Sequence, residues 1–303
     1  MTTISATTIL RSRNACAPDK ILTTLLLRYP RWIHAEVLTH RVFSRNSASS
    51  RAIPVKKFVE DVDEHPAYPI FIGKNQPGMQ AFEEVPEDVK KECLRIIEQH
   101  KNFSVMTANL LSTYGVHKQV VNRYLEPHSH ITVVLSGTEW DNFLRLRNHK
   151  DAEPHFQMLA KEILKCLEDE SNIKELEPGQ WHLPFITEGD IKRAMVISLE
   201  RENEETPLDL LKKLSVARCA STSYKTVDGF DMTFERAEQI YNKLITSEPP
   251  HASPAEHVAQ ADRCYMFPVR ENELIPVWEN PKEHGNFIGF RQLRHQIDQF
   301  VGV

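Results

Sequence analysis

The sequence contains no C-x-x-C pair. Its five cysteines, Cys16, Cys93, Cys166, Cys219 and Cys264, are odd in number and far apart. That spacing argues against a zinc knuckle or a disulfide framework and fits a reducing compartment. A membrane-length apolar run is also missing. The longest aliphatic block near the N-terminus, Ile21 to Leu27, is broken by Thr23 and Thr24. It is too short for a bilayer and stands in the wrong place for a secretory signal. Together these absences point to a cytoplasmic protein with no membrane partner. Charge of one sign is scarce as well: a net −5 over 303 residues leaves no general nucleic-acid footprint, so any polyanion site is local. There is no Gly/Ser linker and no low-complexity tail. What is present is an ordinary core-forming composition, 41% hydrophobic and 26% charged. One compact α+β domain over residues 1–303 is the simplest organisation.

Along the chain, residues 21–29 read as a strand and 31–41 as a helix opened by Pro30. Residues 42–54 read as a polar ordered loop, and 55–85, with scattered Pro and Gly, as a surface excursion or insertion. A long helix is expected over 86–114, stopped by Gly115. A buried strand over 129–136 follows, then a helix capped by Thr138 and running to Arg147, and another over 151–169. Residues 170–210 read as connections with a short helix, 215–220 as a strand, 232–246 as a helix and 247–285 as loop-rich. An amphipathic segment, 287–301, closes the chain.

The chemistry concentrates in residues 39–51, THRVFSRNSASSR. Three arginines (Arg41, Arg45, Arg51), a histidine and several hydroxyls share one short loop. Guanidinium forks, hydroxyls and free backbone N–H groups suit phosphates. On composition alone, a solvated basic turn is an equal reading. The spacing His40-Arg41-x-x-Ser44-x-Asn46-x-x-Ser49-x-Arg51 resembles the signature of flavin-dependent thymidylate synthases, R-H-R-x-x-S-x-N-x-x-S-x-R. Every fixed position matches except the first arginine, which is Thr39 here. A second block, Arg123 followed by Asn142, Phe143, Leu146 and Arg147, resembles a later part of the same family, with His155 where the family usually has Glu. A third, residues 251–257 (HASPAEH), resembles its H-x-S/T-P-x-E-H segment.

The resemblance implies a site in which His40, Arg41, Asn142 and Ser253 contact FAD. Ser49, Arg51, Arg123 and Arg147 would hold dUMP, with Arg147 stabilising charge on the uracil ring; Ser44 and Asn46 would shape the loop. It implies reductive methylation of dUMP, with 5,10-methylene-tetrahydrofolate as one-carbon donor and NADPH as reductant through FAD. No covalent protein nucleophile is implied, and a homotetramer is. A zinc set of His251, Glu256 and His257 does not have the H-E-x-x-H spacing, and Pro254 disfavours a regular helix there; no metal is expected. His128 and His130 share a strand face and read as structural.

Several features depart from the pattern. The HASPAEH block follows the R-H-R-like loop by about two hundred residues in the numbering, whereas in the family it precedes that loop. Residues 215–257 resemble the family's N-terminus. Residues 285–295 (GNFIGFRQLRH) resemble a second approach to the motif. The expectation is a circularly permuted fold with a central mixed or antiparallel sheet flanked by helices, similar to a bacteriophage-type branch and working in a bacterial or phage-infected host cytosol. Residues 55–85 and 170–210 lie outside the common family core. Ser47 and Glu36 replace family residues near dUMP, so a dCMP substrate or a hydroxymethylated product is an alternative. A non-catalytic flavin- or nucleotide-binding protein on the same scaffold is another. A nucleic-acid-binding module is disfavoured by the net charge and the lack of interleaved aromatics.

Overall fold

A computed structural model describes residues 2–202, 204–221, 232–270 and 273–297. Its centre is a five-stranded sheet: β1 (Ser5–Asn14), β2 (Ala17–Pro30), β3 (Ser44–Ser47), β4 (His130–Gly137) and β5 (Ile173–Leu176) in the order β3-β4-β2-β1-β5. All neighbours run antiparallel except β1 and β5, which are parallel. The fold is therefore α+β with a mixed sheet. β1 is an unexpected strand. Its polar and β-branched sequence carries no turn signal before β2, yet a tight hairpin forms because Asn14 Oδ1 accepts the Cys16 backbone N–H at 2.9 Å. β3 is equally unexpected, lying inside the stretch expected as a loop.

The period-2 alternation of β2 and β4 divides the sheet into two unlike faces. Leu25, Leu27 and Tyr29, with Ile131, Val133 and Leu135, point to one side, where they pack on Phe156, Leu159, Ala160 and Ile163. The intervening residues face a second, three-stranded sheet, β6 (Trp181–His182), β7 (Ala259–Ala261) and β10 (Phe290–Gln292). There Leu22 meets Leu176, Ala259, Ala261, Phe287 and Phe290. A separate ribbon pairs β8 (Cys264–Arg270) with β9 (Glu273–Trp278).

The second face also carries a polar seam. Ser44, Ser136 and Thr24 stand in one register across β3, β4 and β2. Ser136 Oγ shares hydrogen bonds with His257 Nδ1 at 2.8 Å and Thr24 Oγ1 at 2.7 Å. Thr24 continues to His182 Nε2, and His182 Nδ1 to Ser12 Oγ, both at 2.8 Å. At the edge, Ser44 Oγ donates to Asn286 Oδ1 at 3.1 Å. Every residue from Ser12 to His257 on this chain is buried. Burial pushes both imidazoles down to about 3, so both are neutral. The seam fixes how the C-terminal third lies on the sheet, since buried polar groups tolerate only the register that satisfies them.

The helices are α1 (His34–Val37), α2 (Val55–Glu64), α3 (Glu87–Thr113), α4 (Lys118–Val121), α5 (Asp141–Arg147), α6 (Pro154–Glu168), α7 (Glu188–Glu200), α8 (Pro207–Ala220) and α9 (Phe234–Thr246). α3, α6 and α9 lie where their periodicity predicts. Elsewhere the structure corrects the sequence. The helix after Pro30 is short, a 3-10 turn and then α1. α2 occupies the first part of the expected excursion and buries Phe58 and Val62, one turn apart. α5 begins after Trp140, and Thr138 Oγ1 instead accepts the Ile288 N–H at 3.0 Å. Residues 215–220 are the end of α8, not a strand. Thr206 caps that helix with Pro207 in its first turn, and it is buried nearly all round from Leu210 to Cys219. A helix buried on all sides has no amphipathic period to betray it. The expected loop-rich stretch contains β7, β8 and β9. Of the segments noted above, 222–231 and 298–301 lie outside the described residues.

Candidate active site

β3 is the edge strand through the middle of the 39–51 motif, and site residues gather beyond each of its ends. At the first end His40 is buried against Phe143 and Phe156, with ring centroids 5.0 and 5.9 Å away and near-perpendicular planes. Arg147, at the last position of α5, donates from Nε to His40 Nε2 at 2.9 Å. The same guanidinium lies over the Phe156 ring, 4.6 Å from its centroid, and its Nη1 is 3.3 Å from Glu36 Oε2. Accepting from Arg147 fixes His40 as the neutral tautomer with its proton on Nδ1. Burial first, then the Arg147 and Arg45 charges, hold the His40 pKa below its ordinary value, in keeping with that bond. Arg45 braces the loop by donating to the backbone oxygens of Leu38 (3.1 Å) and His40 (2.9 Å). The Thr39 hydroxyl donates to the Glu36 backbone oxygen at 2.7 Å, a local turn contact.

At the other end the chain leaves β3 through Ala48 and turns over Ser49–Ala52. Asn122 is fully buried, and its Nδ2 donates to the backbone oxygens of Ser50 (2.7 Å) and Ile53 (2.9 Å). Lys118 Nζ donates to Ala52 O at 2.9 Å. Glu126 then joins the two halves, accepting from the Ser50 hydroxyl and from Arg123 Nη1 at 2.9 Å. Arg51 is exposed and forms no ion pair with the described residues. Arg123 has a side chain 57% exposed despite its carboxylate partner. The turn is held rigid from below while its guanidinium groups face outward, an arrangement able to take a phosphate dianion.

Five of the predicted residues thus form two groups, His40 with Arg147 and the Ser49–Arg51 turn with Arg123. The others stand apart. Arg41 is exposed beside His40 and likewise without an ion pair to the described residues. Asn142 is exposed on α5 and accepts from Arg145 at 2.9 Å. Ser253 is exposed at the start of the 3-10 turn Ser253–Glu256. That turn packs against β3 and α8, and Asn46 Nδ2 donates to Cys219 O at 2.5 Å between the same elements. The late HASPAEH block therefore lies beside the early motif.

Other predicted roles resolve into structure. His257 is taken by Ser136, and Glu256 is paired with Arg294. Among the described residues no three His, Cys, Asp or Glu side chains cluster as a metal site. Arg294, in the segment resembling a second approach to the motif, is thus directed to Glu256. His155 is buried and accepts the Ile70 N–H at 2.9 Å, anchoring the 67–72 segment. His130 accepts the Thr3 N–H, and His128 bonds His100, both as structural contacts. Cys219 is buried, and burial raises its thiol pKa far above the ordinary value, unlike a nucleophile. Sequence reading missed Glu126, Asn122 and Phe156. The only available signal was the three-residue spacing of Arg123 and Glu126 within one helical turn.

The family described as thymidylate synthase complementing protein matches over residues 9–171, a little over half of the chain. Among solved structures, a UMP/dUMP methylase from Streptomyces cacaoi bound with 5-Br UMP aligns at 14% identity, covering 55% of this chain and 89% of that one, with a TM-score of 0.48. The flavin-dependent thymidylate synthase from Helicobacter pylori complexed with FAD and dUMP aligns at 18% identity, covering 48% and 67%, with a TM-score of 0.34. No curated protein matches.

Proposed function

The chain belongs to the thymidylate synthase complementing protein family, that of the flavin-dependent thymidylate synthases, and from that premise we propose that it methylates dUMP to dTMP, using 5,10-methylene-tetrahydrofolate as one-carbon donor and NADPH as reductant through FAD. The observation that carries the reading is the arginine held at each end of β3. Arg147 is immobilised by His40, Glu36 and Phe156, and Arg51 is left facing outward on a rigid turn.

The residues present suit a flavin dinucleotide. Arg41 offers a guanidinium without an ion pair to the described residues, and Ser253 an exposed hydroxyl on a turn packed against β3. These two, with His40 and Asn142, would hold the group, and FAD when bound supplies the hydride that completes the methyl group. In this reading Ser49, Arg51 and Arg123 bind the nucleotide phosphate and so orient the base. Arg147 stabilises the negative charge that builds on the uracil ring and its carbonyl oxygen as C5 attacks. Its guanidinium is already fixed, so little reorganisation accompanies the reaction. Neutral His40 serves as an acceptor that orients Arg147. The C-terminal blocks complete one catalytic domain with the motif region, in permuted order, and a homotetramer is the proposed assembly.

A second reading rests on Glu36. Its side chain is 41% exposed beside Arg147, and a carboxylate there can accept the exocyclic N–H of cytosine, favouring dCMP; a hydroxymethyl product belongs to the same alternative. Mass spectrometry of the nucleotide after incubation with FAD, NADPH, the folate and either dUMP or dCMP separates the readings. Methyl gain on dUMP supports thymidylate synthesis. A hydroxymethyl gain, or product from dCMP alone, replaces it with the second reading, and bound flavin with no product leaves a binding protein.

A further inference from the structure

Along the sequence the five cysteines show no pairing pattern, but folding brings two of them together. Cys16 lies in the two-residue turn of the β1–β2 hairpin, between Asn14 and Ala17. Cys264 opens β8. Although 248 positions apart, they touch: Cys264 Sγ donates to the Cys16 backbone oxygen at 3.2 Å. Both side chains are partly exposed, so a small oxidant can reach them. The other three cysteines are dispersed. Cys219 is buried, Cys166 Sγ donates to Ala6 O at 3.5 Å, and Cys93 lines a groove of about 470 Å³ with Phe71 and Ile96.

One side chain holds both partners in place. Asn14 Oδ1 accepts the Cys16 N–H at 2.9 Å, while Asn14 Nδ2 donates to the backbone oxygens of Asp262 and Gly289, each at 2.8 Å. Asp262 in turn accepts from Asn280 and bonds His284 Nε2, all at 2.9 Å. The turn carrying Cys16 and the strand end carrying Cys264 are therefore tied to each other by a buried network. Closing a disulfide here requires the two side chains to rotate their sulfurs together. Burial, with a smaller effect of the neighbouring Cys16, pushes the Cys264 thiol up to about 11. That disfavours Cys264 as the first nucleophile.

We propose that Cys16 and Cys264 are an oxidation site, closed by a low-molecular-weight disulfide such as oxidised glutathione into an intramolecular disulfide that fastens the β8–β9 ribbon to the β1–β2 turn. The Cys16 thiolate attacks one glutathione sulfur, forming a mixed disulfide and expelling a glutathione thiolate. Cys264 then loses its proton and attacks Cys16 Sγ, expelling the second glutathione. Two protein thiols are oxidised and one glutathione disulfide is reduced to two thiols. Among the described residues the ribbon's strands pair only with each other, so the bond would fasten it directly to the main sheet. This inference is independent of the proposed reaction.

The test treats the full chain with oxidised glutathione, alkylates the remaining thiols and maps the peptides without reduction. The expected result is a chain two hydrogens lighter with three alkylated cysteines and one linked peptide pair carrying Cys16 and Cys264. A dithiol reductant reverses it. Closing so long a loop should raise the thermal midpoint of the oxidised form by roughly 5–10 °C. In Cys264→Ser a glutathione adduct stays trapped on Cys16, and in Cys16→Ser no linked pair forms. Five alkylatable thiols after oxidation, a link through Cys93 or Cys166, or a glutathione that persists on Cys16 of the parent chain would each overturn the proposal.

Discussion

At the scale of single residues, the site depends on side chains whose freedom has been removed. Arg147 is held by His40, Glu36 and Phe156, and the aromatic group beneath it continues to Phe43, whose ring lies 5.4 Å from Phe143 and 4.6 Å from Trp140. Gly137 makes room for that group: a Cβ there would sit 2.6 Å from Phe43 Cδ1. Gly137→Ala should therefore displace Phe43, cost about 1–3 kcal/mol of stability and lower turnover by loosening His40 and Arg147. Chemical denaturation and steady-state kinetics check this, and an alanine variant with unchanged stability and turnover would show that Phe43 does not support the site. The motif 39–51 is legible in the sequence because its groups are contiguous and their spacing survives in one dimension. The pairs that immobilise them are not legible. Glu36 and Arg147 are 111 positions apart, and Ser50 and Glu126 are 76 apart, so nothing local links them.

At the scale of elements, the polar seam decides how the C-terminal third meets the sheet. Thr24 and Ser136 sit on strands otherwise rich in Leu, Val and Ile, and Ser44 is buried beside them on β3; a buried hydroxyl costs stability unless it is bonded. Ser136→Ala would leave His257 Nδ1 and Thr24 each one partner short. The expected destabilisation is about 1–3 kcal/mol, read as a lower urea midpoint, with Ser136→Thr as the conservative comparison. Stability equal to the parent would mean that the seam does not contribute to docking. The seam, like α8, was hidden from sequence patterning for a physical reason. Periodicity reports a boundary between apolar and polar surroundings, and both α8 and the second face of the sheet are buried. The elements with one wet face, α3, α6 and α9, were legible, and β4, buried throughout, was found because its apolar run is short and bounded.

At the scale of the whole molecule, several histidines fold with the proton off. Desolvation, the leading cause in each case, lowers His34, His128 and His130 to about 4, and His182 and His257 to about 3. In the unfolded chain each takes up its proton near pH 6.5. Above that pH neither state binds it, and the stability is fully present. As the pH falls from about 6.5 towards 4 and then 3, the unfolded state binds more protons and folding stability is lost. Asp190 and Asp262, whose pKa values are lowered in the fold despite the opposing effect of burial by hydrogen bonds from Arg218, Thr187, Asn280 and His284, add a loss of the same sign at lower pH. The urea midpoint should therefore be flat above neutrality and fall steadily on acidification. A midpoint that rises between pH 6.5 and 4 would contradict neutral burial of these rings. In the proposed reading β3 separates a chemical end from a phosphate end, and that division is the central claim. The most direct test measures dUMP affinity and turnover at saturating dUMP in Arg147→Ala and Arg51→Ala, with flavin content confirmed in each. The account predicts that Arg147→Ala loses roughly 100-fold or more in kcat with dUMP still bound, while Arg51→Ala weakens dUMP binding by roughly 10-fold or more and keeps its kcat. The opposite split, or near-parent turnover in Arg147→Ala, would contradict it.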